Sequence, residues 1–163
     1  PSRAPSWGNR SAKAAGWAAA KNGARQVHFC ARTESRAAAA ARGLAKSIRK
    51  TKFTAGAASQ IDLFKHIDPR ALFYVNATPL GMSGFPDRSP VPAGHPPPKA
   101  AIDLVYGRKT AFQRQSAKHG AKTMDGASML VFQALRSFEF WAKPFAASRR
   151  RQLSAVLLRE VRS

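Results

Sequence analysis

Apolar and polar positions divide the chain into short uncharged runs and Ala-rich stretches, with turn residues between them. The clearest run is Ala71-Leu72-Phe73-Tyr74-Val75, which stops at Asn76 and is followed by the strand-ending cluster Thr78, Pro79 and Gly81. An unbroken apolar run of this length predicts a strand buried on both faces, as inside a parallel sheet. A second run, Ala100 to Tyr106, predicts another strand, with Asp103 inside it. Shorter β-favouring stretches lie at Val27–Cys30, around Phe53 and Thr54, and at Lys122–Met124.

The helical stretches fall between these runs. Ser11 to Lys21 is Ala-rich and ends at Asn22-Gly23, which predicts a helix with Ser11 as its N-cap. Thr33 is placed to cap a second helix running from Glu34 to Arg49, with Glu34 at the positive helix end. Ile61–Ile67 carries a short helical stripe ended by Asp68-Pro69. Thr110 opens a helix that His119-Gly120 ends. Asp125 or Gly126 opens a longer one reaching Trp141, and Pro144 blocks its continuation. Arg149 to Val161 predicts a last amphipathic helix, while the prolines at 86, 90, 92, 96, 97 and 98 make 83–98 a long surface loop. Strands alternating with helices at this spacing predict an α/β fold with a mostly parallel sheet. Residues 1–10 form an irregular amino-terminal segment with no strand signal.

Composition narrows the class. With 163 residues and 44% hydrophobic content, the chain suffices for one domain, and no run is long enough to span a membrane. No signal-peptide pattern is present, and the single cysteine, Cys30, makes cytoplasm the expected compartment. The histidines at 28, 66, 95 and 119 are scattered, so no metal site is expected. The net charge of +20 is spread along the chain rather than gathered in a nucleic-acid-binding motif. No specific nucleic-acid or membrane partner is therefore expected, although a basic polyanion-binding fragment is an alternative reading.

Candidate chemistry lies at the strand ends, where ligands bind in open α/β sheets. The first strand candidate delivers Asn76, Ala77 and Thr78 there; Asn76 is either a ligand-facing residue or a turn residue bonding its own backbone. Val27–Ala31 ends on Arg32 and Thr33, with Arg36 one helical turn later, rather than on the carboxylate that would bind a ribose 2′-hydroxyl. An arginine pair there suits a 2′-phosphate, or is simply two of 28 basic residues. Gly126, Met129, Leu130 and Gln133 share one helix face, with Gly126 and Gln133 about 10 Å apart along the axis. Gly126 would let a ligand approach closely. Gln133, among apolar neighbours, requires a partner, either backbone or a hydroxylated substrate.

The stretches VNATPLGM (75–82), IDLVYGRKT (102–110) and MDGASMLVFQALRSFEFW (124–141) resemble the carboxyl-terminal half of shikimate dehydrogenase. HFCARTESRAAAAA (28–41) is similar to that family's second strand and NADP-discriminating turn. The resemblance implies a Rossmann-like NADP-binding domain over 11–142 with a carboxyl-terminal helix over 143–163, its first strand missing or degenerate. It also implies that Asn76, Ala77 and Thr78 line the nicotinamide side of the cleft. Arg32, Thr33 and Arg36 would hold the 2′-phosphate, although the family usually has asparagine where Ala31 stands. Leu104, Gly126 and Met129 would contact the cofactor, and Tyr106 and Gln133 the hydroxyls and carboxylate of shikimate or 3-dehydroshikimate. Gly8, Asn9 and Ser11 occupy the place of the family's glycine-rich turn, which here reads Trp-Gly-Asn-Arg-Ser. Asp103 is read as structural. The family's catalytic lysine and aspartate belong to an amino-terminal substrate domain that this sequence does not contain. The chain by itself is therefore expected to be inactive, with no catalytic residue of its own. An NAD-using quinate/shikimate dehydrogenase is the alternative within the family.

Overall fold

The computed structural model describes residues 7–57 and 72–162. In chain order these form α1 (Trp7–Lys21), β1 (Gln26–Ala31), α2 (Glu34–Ala45), β2 (Lys52–Ala57), β3 (Phe73–Asn76), β4 (Ala100–Asp103), α3 (Ala111–Lys118), β5 (Lys122–Met124), α4 (Ala127–Trp141) and α5 (Ala147–Arg162). The helical stripe predicted at Ile61–Ile67, and Ala71, lie outside the described residues.

Three boundaries differ from the sequence prediction. The first helix begins at Trp7, so Ser11 sits inside it rather than at its N-cap. No proline interrupts Trp7 to Arg10, and a helix nucleated in the Ala-rich stretch propagates back through them. The second helix stops at Ala45 instead of Arg49. Leu44 is its last buried residue, and the Leu44 carbonyl accepts from the Ser47 and Ile48 amides at 3.0 Å each, tightening the chain into a turn. The strand predicted over 100–106 ends at Asp103, whose carboxylate accepts the Val105 amide at 3.1 Å and draws the backbone out of the ladder.

Every described strand pair is parallel, as predicted, but the strands form two sheets rather than one. β1 pairs with β2, with Phe29 opposite Ala55. β3, β4 and β5 form the second sheet, with Val75 opposite Ile102 and Ile102 opposite Met124. The split falls between β1 and β3. α1 packs on α2 and β1 and also touches β3, so it roofs both sheets.

One apolar cluster belongs to the first sheet. Phe29, Ala37, Ala40, Ala41 and Leu44 are buried together, and Phe29 stacks on Phe53 with ring centroids 6.5 Å apart. Gly16 lets α1 lie against this core, because a Cβ there would fall 2.5 Å from Phe29 Cζ. The second sheet departs from the expected two-faced burial. Asn76 is buried, yet Phe73 and Val75 are 57% and 42% exposed, on the face shared with Ile102 and Met124. α3 packs against β4 and β5 and buries Phe112, Gln113 and Ser116. α4 buries Ala127, Val131 and Leu135, and α5 docks on it through an Arg150–Glu139 ion pair at 2.6 Å. Among the described residues no helix is long and apolar enough to cross a membrane.

Candidate functional site

The carboxyl ends of β3 and β4 meet in a buried polar network. Asn76, 1% exposed, donates through Nδ2 to Asp103 Oδ1 at 2.9 Å. Its Oδ1 accepts from the Thr78 amide at 2.9 Å and from the Thr78 hydroxyl at 2.6 Å. This is an Asx-type turn in which the side chain holds the next two residues. Of the two readings of Asn76, the turn role is therefore the observed one. Its side chain faces the protein and fixes half-buried Ala77 and Thr78.

Asp103 is completely buried and ties three elements together. Besides Asn76 and the Val105 amide, it accepts a hydrogen bond from the Thr110 hydroxyl. Burial pushes its carboxyl above the usual range; the bonds from Thr110, Val105 and Asn76 oppose that rise, and nearby Asp125 adds to it. Thr110 Oγ1 also accepts the Gln113 amide at 3.2 Å, capping α3. Gly81, at φ 90°, presses on the same threonine, where a Cβ would lie 2.7 Å from Thr110 Cγ2. The strand end, the loop after it and the start of α3 are thus one unit.

A second carboxylate anchors the proline-rich loop to that unit. Asp87 accepts the Ala111 amide at 2.8 Å and the guanidinium of Arg114 at 2.7 Å, with Arg108 at 3.3 Å. The bond from Arg114, then that from Ala111, holds its carboxyl below the usual range. Sequence reasoning missed Asp87, and it missed the bond from Thr110 to Asp103. Partners so far apart in the chain leave no local pattern, although a lone carboxylate in a proline-rich loop is a visible oddity.

The glycine at the start of α4 has a packing role that the sequence reading did not give it. A Cβ on Gly126 would lie 2.2 Å from the Leu104 carbonyl oxygen, so the glycine lets α4 lie against the end of β4. Its amide donates to the Val105 carbonyl at 3.1 Å. Gln133 lies on the exposed side of α4, so the predicted demand for a buried partner does not arise. Tyr106 and Met129 are also exposed, at 47% and 38%, and Leu104 is half-buried.

Arg32, Thr33 and Arg36 lie apart from this network, at the carboxyl end of β1 and the first turn of α2. All three are exposed. Thr33 occupies the predicted N-cap position, with φ −119° and ψ 130°, but its hydroxyl makes no capping bond. Neither guanidinium is in an ion pair among the described residues. Gly8 and Asn9 lie in the first turn of α1, and exposed Ser11 follows on the same helix. The structure therefore joins Asn76, Thr78, Leu104 and Gly126 at one strand-end cluster and keeps Arg32, Thr33 and Arg36 together at another. Among the described residues no group of three or more His, Cys, Asp or Glu side chains is placed to hold a metal ion.

Comparison with known proteins gives a consistent result. The chain is 37% identical over 131 residues to a protein from Natronomonas pharaonis named shikimate dehydrogenase (NADP(+)), a match covering 79% of this chain and 45% of the relative. It is 46% identical over 69 residues to the protein of the same name from Halorubrum lacusprofundi, covering 41% of this chain and 25% of that one. Among solved structures, shikimate 5-dehydrogenase from Thermus thermophilus in complex with NADP(H) and shikimate matches with a TM-score of 0.64 at 27% identity, covering 86% of this chain and 48% of that one. The shikimate 5-dehydrogenase from Listeria monocytogenes, in complex with shikimate and NAD, matches in fold with a TM-score of 0.71 at 19% identity, covering 86% and 50%. No family model matches the chain. The chain spans less than half the length of these curated relatives.

Proposed function

Because this chain is homologous to part of the NADP-dependent shikimate dehydrogenases, we propose that it is the NADP-binding portion of such an enzyme. The reaction of the whole protein would be reduction of 3-dehydroshikimate to shikimate. The observation that carries the NADP assignment is the strand end at Arg32, Thr33 and Arg36. Two guanidiniums without carboxylate partners flank an uncommitted hydroxyl at the carboxyl end of a parallel strand. That donor set fits a phosphate dianion, which arginines grip through paired N–H groups.

When bound, the nicotinamide would supply the hydride, and the chain's own residues would position and shield it. Asn76 and Asp103 fix the backbone at Ala77 and Thr78, which would form one wall of the nicotinamide site. Leu104 would press on the cofactor from the end of β4. Tyr106 and Gln133, both exposed on the rim, would present a hydroxyl and an amide to the substrate's hydroxyls and carboxylate. The family's proton-transferring lysine lies in a substrate domain, so the 163-residue polypeptide alone would bind cofactor without turning over. Calorimetric titration with NADP and NAD tests the first part: at least about tenfold tighter binding of NADP is expected, and equal affinities would sink it. Shikimate-dependent NADPH formation by the purified chain at ordinary rates would refute the second.

A further inference from the structure

We infer that Asp87 is a positioning residue for the nicotinamide end of the cofactor site, acting by closing the loop after β3 onto the start of α3. The inference rests on the NADP reading above and deepens it, because Asp87 works through Ala77 and Thr78 rather than by touching the cofactor.

The loop from Ala77 to Arg88 has little burial to shape it. Its two largest apolar side chains, Met82 and Phe85, are 45% and 49% exposed. Backbone bonds shape it instead: the Met82 amide donates to the Pro79 carbonyl and the Phe85 amide to that of Met82, each at 3.0 Å. The Gly81 amide reaches across to the Pro86 carbonyl, also at 3.0 Å. Turns of this kind fix local curvature, but they leave the loop as a body free to swing about its ends. One end is held by the Asn76 side chain on Thr78. The other is held by Asp87.

Asp87 grips α3 at two points. Its Oδ1 accepts the amide of Ala111, the first residue of α3, at 2.8 Å, and its Oδ2 accepts the Arg114 guanidinium at 2.7 Å. The Thr110 hydroxyl takes the Gln113 amide, so the two side chains share the orphan donors of this helix end. Arg114 also donates to the Lys109 carbonyl at 2.6 Å, which fixes the backbone just before Thr110. Thr110 in turn bonds Asp103, Asp103 holds Asn76, and Asn76 holds Thr78. The contacts therefore form a ring: from Thr78 along the loop to Asp87, across to α3, and back through Asp103 to Thr78. Gly81 lies inside the ring, where an added Cβ would fall 2.7 Å from Thr110 Cγ2 and 3.6 Å from Asp87 Oδ1. Removing Asp87 opens the ring on its exposed side and leaves the buried side intact. The loop is then tethered at one end in a chain that still folds.

The arginine strand end lies outside this ring. Arg32, Thr33 and Arg36 follow β1, and among the described residues no ladder joins its sheet to that of β3. Loss of Asp87 therefore disturbs one end of the cofactor site and spares the other.

The test measures NADP and adenosine 2′,5′-bisphosphate on the full 163-residue chain by calorimetric titration. The bisphosphate carries the 2′-phosphate but no nicotinamide, so it reads the arginine end alone. Asp87→Ala should weaken NADP about fivefold or more and leave the bisphosphate within about twofold of the parent chain. Asp87→Asn, which keeps an acceptor for the Ala111 amide but no charge for Arg114, should give a smaller loss of the same kind. Arg114→Gln should show that selectivity too, and the double variant should lose no more than Asp87→Ala, as partners in one contact do. Equal loss of both ligands would make Asp87 a general stability residue and overturn the inference. So would an unchanged NADP affinity, losses that multiply in the double variant, or a parent chain that binds both ligands alike, since the loop would then hold nothing. In each of those cases the arginine reading survives. A parent chain that binds neither ligand refutes the cofactor reading itself and takes this inference with it.

Discussion

The two sheets solve the problem of burial differently. Around β1 and β2 the interior is apolar, Phe29 against the alanines and Leu44 of α2, and the strand end is left exposed with Arg32, Thr33 and Arg36. Around β3, β4 and β5 an apolar interior that includes Ala101, Val105, Phe112, Val131 and Leu135 is joined by buried Asn76, Asp103, Thr110, Gln113 and Ser116, while Phe73 and Val75 face outward. Hydrophobic burial is non-directional and sets stability, whereas a buried polar network holds groups at fixed distances and angles. The second half adds to its apolar interior a network that holds a loop in place.

The largest expected effect separates the halves directly. Phe29→Ala should cost about 3–5 kcal/mol in urea unfolding. Its loss of hydrogen-exchange protection should be confined to 7–57, since no ladder joins the sheets. Uniform loss would show that the two halves melt as one. Asp103→Ala comes next, at about 3 kcal/mol, because it strands the donors of Asn76, Val105 and Thr110. Its protection loss should map to 72–124; a stability equal to that of the parent chain would mean the network is ornamental. Gly126→Ala should cost about 1–3 kcal/mol by forcing α4 away from Leu104. A drop in NADP affinity of about tenfold is expected for Arg32→Ala, and separately for Arg36→Ala, with NAD binding and urea midpoint unmoved. An equal loss of NAD affinity would place the arginines elsewhere than on the 2′-phosphate.

The smallest effect is one of pH, and its sign differs between the two carboxylates of the second half. Asp87 is held below its ordinary range, so its contribution to stability is present above the unfolded pKa of about 4 and fades as pH falls through the folded one. Asp103 is pushed above that range, so its contribution is fullest below pH of about 4 and is lost as pH rises. Asp87→Asn should therefore flatten the acid limb of the stability curve, and Asp103→Asn should steepen it. Denaturation midpoints between about pH 3 and 6 give the comparison, and parallel curves for both variants would contradict it.

Element types were legible where residues act on near neighbours. Asn22-Gly23, Thr110, His119-Gly120 and Pro144 each sit where the sequence placed a boundary, because caps and breakers work within a turn of chain. The run Leu72–Val75 signalled a strand but not its neighbours. Alternating exposure of Phe73 and Val75 depends on what covers the sheet, which one strand's composition does not carry. Gly126 and Gln133 were read as ligand-facing from their own helix alone. The contact with Leu104 and the solvent beside Gln133 arise from tertiary placement. Arg32, Thr33 and Arg36 adjoin in sequence and so read as one cluster; Asp87 did not stand out, because its partners lie 24 and 27 residues away.

The absence of a side chain at Gly126 has a mechanical consequence. With the Leu104 carbonyl filling the place of a Cβ and the Val105 carbonyl accepting the Gly126 amide, the first turn of α4 and the end of β4 have no slack between them. Any rotation of α4 must carry the Leu104–Val105 backbone with it, as two teeth on one gear. The distant end of the same helix is clamped to α5 by Arg150 and Glu139. A push on that carboxyl-terminal helix would be felt at the end of β4.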